Sequence, residues 1–141
     1  MKETKAGIKN IHERVRLQHS SELSQDYLES IYELLQSQPV VRISDLKNIF
    51  SVSHVTVIRT LQRLKEKDFI TDTRSKHIFL TEKGERIAIQ SAEKHELLKN
   101  FFINLGVSPE QANADAEGAE HHLSDETFQA IRLFQKNSSS T

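Results

Sequence analysis

Apolar residues recur along the chain in short stripes separated by polar breaks. Residues 1–21 are polar, with Ile8, Ile11 and Val15 alone at helical spacing. They read as a short amphipathic helix or a loose arm, too poor in apolar residues to fold alone. Ser24 then looks like an N-cap, and Tyr27, Leu28, Ile31, Leu34 and Leu35 follow at i, i+3, i+4 spacing until Pro39. That pattern predicts an amphipathic helix. Ile43, Leu46, Ile49 and Phe50 predict a second, short helix with Ser44 near its start. Ser51-Val52-Ser53 makes a tight connection, and Ser53 can cap a third helix over 54–67, whose buried stripe is Val57, Leu61 and Leu64. Two short helices joined this closely, the second with a basic outer face, are a helix-turn-helix signature.

The period then changes. Residues 69–73 and 77–81 are rich in β-formers and are separated by the polar Arg74-Ser75-Lys76, which predicts a hairpin and so a winged helix-turn-helix. Thr81 can cap a long helix from Glu82 to about Leu105, stopped by Gly106. Ser108-Pro109-Glu110 starts another, running to about His122, and Ser124-Asp125-Glu126 starts the last, with Phe128, Ile131, Leu133 and Phe134 apolar. The tail Ser138–Thr141 reads as disordered. The fold class is therefore mainly α: an N-terminal extension (1–21), a winged helix-turn-helix DNA-binding domain (22–87) and an all-helical domain (88–141).

Composition narrows the function classes. No apolar run is long enough for a transmembrane helix, and the first ten residues have no secretory h-region. With no cysteine, disulfide frameworks and thiolate metal sites are excluded, which fits the cytoplasm. The formal net charge of −1 hides an asymmetry: residues 42–86 hold ten Lys/Arg against six Asp/Glu, whereas residues 87–141 hold four against eight. A basic middle is the electrostatic footprint of a polyanion, most simply double-stranded DNA.

If 54–67 is the reading helix, its buried stripe turns His54, Val55, Thr56, Arg59, Gln62 and Arg63 outward. Thr56 can hydrogen-bond to a base, Val55 can touch a thymine methyl, and Arg59 can meet guanine or phosphate. Arg63, Lys65, Arg74 and Lys76 suit phosphates. Three further clusters offer metal-ligand chemistry: Asp26 with Glu29, His95, and Glu117 with Glu120 and His121. Each multi-residue cluster has helical spacing, so its side chains share a face. Converging Glu and Glu-x-x-His groups hold metal pairs in helical proteins. Four carboxylates and two imidazoles are a hard set suited to Mn²⁺ or Fe²⁺. Each cluster also has a plain alternative: acids in a first helical turn favour the helix dipole, and an acidic face is often just solvated.

Taken together, Asp26-Tyr27-Leu28-Glu29, the helix-turn-helix and wing, Thr81-Glu82-Lys83-Gly84, His95-Glu96-Leu97-Leu98 and the stretch from Glu117 to Ser124 resemble the manganese transport regulator branch of the diphtheria toxin repressor family. The resemblance covers roughly residues 24–136. It implies a homodimeric, metal-activated regulator of metal-transport genes that binds a palindromic operator, and not an enzyme. It also implies two Mn²⁺ per subunit held by Asp26, Glu29, His95, Glu117, Glu120 and His121, with Glu117 and Glu120 bridging. The iron-responsive branch has methionine at the position of Asp26 and cysteine at that of Glu117, so this chain resembles the manganese type. His122 points away from the ligand face and is expected to pack or support. Open alternatives are an Fe²⁺- or Zn²⁺-responsive regulator, a winged-helix regulator needing no metal, and a helical two-metal enzyme.

Overall fold

The computed structural model describes residues 5–71 and 77–138, with side chains described at 10–13, at 16 and from 21 onward. Among these residues lie six helices: α1 (Lys5–Ser37), α2 (Ile43–Phe50), α3 (His54–Glu66), α4 (Glu82–Asn104), α5 (Pro109–Ala119) and α6 (Asp125–Ser138). The chain forms two compact units, Met1–Ala88 and Ile89–Thr141, so the boundary falls within α4. No described helix is long and apolar enough to cross a membrane.

In the first unit, Tyr27, Leu28 and Ile31 of α1 are buried with Val41, Leu46, Val57, Leu64, Ile70, Ile78 and Ala88. The Tyr27 ring stacks on Phe50 at the end of α2, with centroids 4.1 Å apart and planes 5° from parallel. Burial raises the Tyr27 phenol's pKa, and a hydrogen bond with the Thr60 side chain partly offsets this. Ser51, in the left-handed region (φ 53°), turns the chain out of α2. Ser53 then caps α3, its Oγ accepting from the Thr56 N–H at 3.2 Å. Two short helices and a three-residue link are therefore held by one αL residue and one cap.

Two expectations change here. Ser24 starts no helix but lies inside α1, which is continuous over 33 residues. Between residues 8 and 37 no glycine or proline interrupts it. Extending an existing helix gains a hydrogen bond per residue without a new nucleus, so the polar arm continues the amphipathic segment. The expected hairpin is reduced, among the described residues, to two antiparallel bridges, Val41 with Ile78 and Ile70 with Leu80. The backbone bond from Thr71 N to Phe79 O (3.0 Å) joins the two arms, and Val41, which precedes α2, adds a third segment. The turn residues Arg74 and Lys76 lie outside the described residues, as do 139–141 of the expected tail, whereas Ser138 closes α6.

α4 begins as its sequence predicts. Thr81 Oγ1 accepts from the Gly84 N–H at 3.1 Å and donates to the Asp68 carbonyl at 2.7 Å, tying the cap to the wing. A Cβ at Gly84 would collide with the Phe69 carbonyl, so only glycine allows this approach. In the second unit Leu98, Ala116, Phe128 and Ile131 form the core, joined by Leu97, Phe101, Phe102, Ala119 and Leu123. Gly106, at φ 107°, ends the α4 segment, and Ser108 and Ser124 cap α5 and α6.

Candidate metal centre and reading helix

His95 lies on α4, facing α5. Its Nδ1 is 3.1 Å from Glu120 Oε2 and 3.5 Å from Glu117 Oε2. Ligand atoms of these three residues all lie within 4.8 Å of one another, a spacing that a single cation can span. On the other side of the ring, Nε2 is 2.8 Å from Asn113 Oδ1. With that amide oxygen as acceptor, Nε2 carries the hydrogen, and Nδ1 turns its lone pair or second proton to the carboxylates. His121 Nε2 is 3.3 Å from Glu120 Oε1, so the Glu120 carboxylate stands between two imidazoles.

Burial makes this arrangement costly without positive charge. The Glu120 side chain is 2% exposed, against 64% for Glu117. A buried carboxylate needs a cationic or proton-donating partner. Burial on its own would lower the pKa of His95. The Asn113 hydrogen bond and the charges of Glu120 and Glu117 outweigh it, and the value ends above that of an ordinary histidine. A divalent cation fits the same place: the donors are carboxylate oxygen and imidazole nitrogen, and the amide behind His95 fixes which nitrogen faces them.

The helix reading of this stretch needs one correction. α5 ends at Ala119, with Glu120 as its C-cap and His121 and His122 in the following turn. Glu120 keeps helical angles (φ −57°, ψ −30°), and its N–H still reaches the Ala116 carbonyl, so Glu117 and Glu120 remain on one face. His122 is exposed. Asn113 escaped the sequence reading, although Asn113, Glu117 and Glu120 stand at i, i+4 and i+7 on one helix face. Asp26 and Glu29 belong to the first unit, both half-buried on α1 and three residues apart.

On α3 the six outward positions are as expected: His54, Val55, Thr56, Arg59, Gln62 and Arg63 are all exposed. The Thr56 hydroxyl is 3.0 Å from Ser53 Oγ, so it takes part in the cap. The buried face is Val57, Thr60 and Leu64, with Leu61 half-buried. Ile58, absent from the expected reading set, is 41% exposed.

Comparisons with known proteins agree with this two-part organisation. Models of the iron dependent repressor N-terminal DNA binding domain and of the iron dependent repressor metal binding and dimerisation domain match residues 19–78 and 81–140. The transcriptional regulator MntR of Escherichia coli O157:H7 is 43% identical over 121 residues, covering 86% of this chain and 78% of that protein. The HTH-type transcriptional regulator MntR of Geobacillus kaustophilus (strain HTA426) is 33% identical over 117 residues, covering 80% and 83% respectively. Among solved structures, a manganese-dependent transcriptional repressor in complex with manganese is 29% identical with a TM-score of 0.71, covering 78% of this chain and 51% of that one. This chain therefore spans about half the length of that solved relative. A DNA-binding module and a metal-binding and dimerisation module, matched in order along one chain, place it in the iron-dependent repressor family of the diphtheria toxin repressor, in the MntR branch.

Proposed function

We propose that this protein is a cytoplasmic, Mn²⁺-dependent transcriptional repressor of metal-transport genes, binding a palindromic operator as a homodimer. The observation that carries the metal dependence is the His95–Glu117–Glu120 cluster, whose buried carboxylate needs a cation and whose imidazole is oriented by Asn113. Residues 22–87 act as the DNA-binding domain and 88–141 as the dimerisation and metal-binding domain. Asp26, Glu29, His95, Glu117, Glu120 and His121 are the ligands we assign to two Mn²⁺ per subunit, with Glu117 and Glu120 bridging. His54, Val55, Thr56, Arg59, Gln62 and Arg63 face the DNA, and Arg74 and Lys76 of the wing hold phosphates.

Metal and DNA bound by the same protein make the proposed switch a linkage. α1 packs its Tyr27 on Phe50 of the helix-turn-helix, whereas Glu117 stands on α5 and Glu120 at its C-cap. Occupied ligands restrict the reading helices to a smaller set of orientations, so metal tightens DNA binding and DNA tightens metal binding by the same factor. The second subunit covers an apolar face of the second unit, where Leu105, Leu133 and Phe134 are 62%, 60% and 59% exposed.

The test is operator binding measured against Mn²⁺, Fe²⁺, Zn²⁺ and chelator at fixed salt, since salt alone shifts affinity. The expected result is specific binding that appears with Mn²⁺ and is lost with chelator. Affinity for a specific duplex that ignored all three metals would sink the proposal. Glu117→Ala is expected to remain a folded dimer without a Mn²⁺ response.

A further inference from the structure

The outer face of α3 combines apolar with polar groups. Val55, Ile58, Arg59 and Gln62 stand at i, i+3, i+4 and i+7, so they form one stripe. Val55 is 55% exposed and Ile58 41%, while Val57, Thr60 and Leu64 take the buried side. A single exposed aliphatic residue is ordinary. Two β-branched ones, one turn apart in the first five residues of the second helix of a helix-turn-helix, lie where base edges are met. The edge of B-DNA offers them one apolar group in the major groove, the C5-methyl of thymine.

We infer that Ile58, together with Val55, is a specificity-determining residue that selects thymine through its methyl group. This rests on the reading of α3 as the groove helix. Arg59 and Gln62, on the same stripe, supply polar contacts to neighbouring bases or phosphates. Each half-site then carries thymines where Ile58 and Val55 land, and discrimination there depends on the methyl and not on hydrogen bonding alone.

Uracil in place of thymine removes the methyl and leaves the Watson–Crick pair unchanged, so it isolates this contact. The probe is a duplex enriched from a randomised pool by the full-length, Mn²⁺-loaded protein, with each thymine replaced in turn by deoxyuridine. For the wild-type protein, loss of one contacted methyl is expected to weaken binding roughly fourfold, as one apolar carbon removed from water implies. With Ile58→Ala that penalty is expected to vanish at one thymine per half-site and persist at the others; with Val55→Ala it vanishes at a neighbouring one. Both positions are exposed, so the variants should fold, and circular dichroism checks this. Wild-type binding indifferent to uracil everywhere would overturn the inference while leaving Mn²⁺-dependent DNA binding intact. An Ile58→Ala protein that kept every uracil penalty, or bound all duplexes equally poorly, would also overturn it. If no sequence is enriched with Mn²⁺, the regulator proposal fails and this one with it.

Discussion

In the proposed metal site, His95 is the residue whose position carries most of the chemistry. Its ring is held from behind by Asn113 and faces two carboxylates, so without metal a proton is the simplest cation to sit there. Its pKa is raised in the folded protein. The stability contributed by its proton is therefore fully present below the unfolded value of about 6.5, and is lost as pH rises through the folded value. A metal needs the neutral ring, so Mn²⁺ competes with that proton. Mn²⁺ affinity is expected to fall as pH drops below the folded pKa of His95, with protons released on binding. Calorimetry in buffers of different ionisation heat reads this release, and an affinity flat between about pH 8 and pH 5.5 would remove His95 from the ligands. Asn113→Ala is expected to weaken Mn²⁺ binding by about 10- to 100-fold while leaving the fold intact, because it frees the ring without deleting a ligand. Unchanged Mn²⁺ affinity in that variant would leave Asn113 as a surface residue.

At the scale of elements, a few local contacts decide how the helices meet. Gly84 lets the first turn of α4 touch the Phe69 backbone, and Thr81 and Lys83 bond to the Asp68 and Lys67 carbonyls beside it. Gly84→Ala gains helix propensity but has to push backbone apart. We expect a net loss of about 1–3 kcal/mol, read by urea denaturation, whereas a stabilised variant would show that the approach is loose. The αL residue Ser51 and the Ser53 cap set the link between α2 and α3, and Ser53→Ala is expected to cost about 1 kcal/mol. These caps and stops were legible in the chain because Ser, Thr, Gly and Pro act through their own backbone neighbours. The false start at Ser24 has the same origin: a good cap residue caps only where the chain turns, and nothing before it forces a turn. The third bridge segment, Val41, was not legible, because a single bridging residue has no period to detect.

For the whole molecule, charge and apolar surface are divided along the chain. The basic stretch, residues 42–86, contains α3, and the acidic stretch, residues 87–141, contains the buried Glu120 carboxylate. Operator affinity is expected to fall steeply with salt, and Arg63→Ala to reduce the slope of log affinity against log salt by about one. An unchanged slope would move Arg63 off the phosphates. Phe134, exposed on α6 and edge-on to Phe101 at 6.1 Å, is expected to lie under the second subunit. Phe134→Glu should shift the protein towards monomer in sedimentation experiments, and an undisturbed dimer would place the interface elsewhere. The sequence by itself determined the mainly helical order, the helix-turn-helix and the family, since periodicity, caps and motif spacing are local properties. Tertiary structure alone decided that His95 meets Glu117 and Glu120 across 22 and 25 residues of chain, and that Asn113 stands behind its ring. Those facts depend on how helices pack and on which face the core consumes, and no local spacing encodes them.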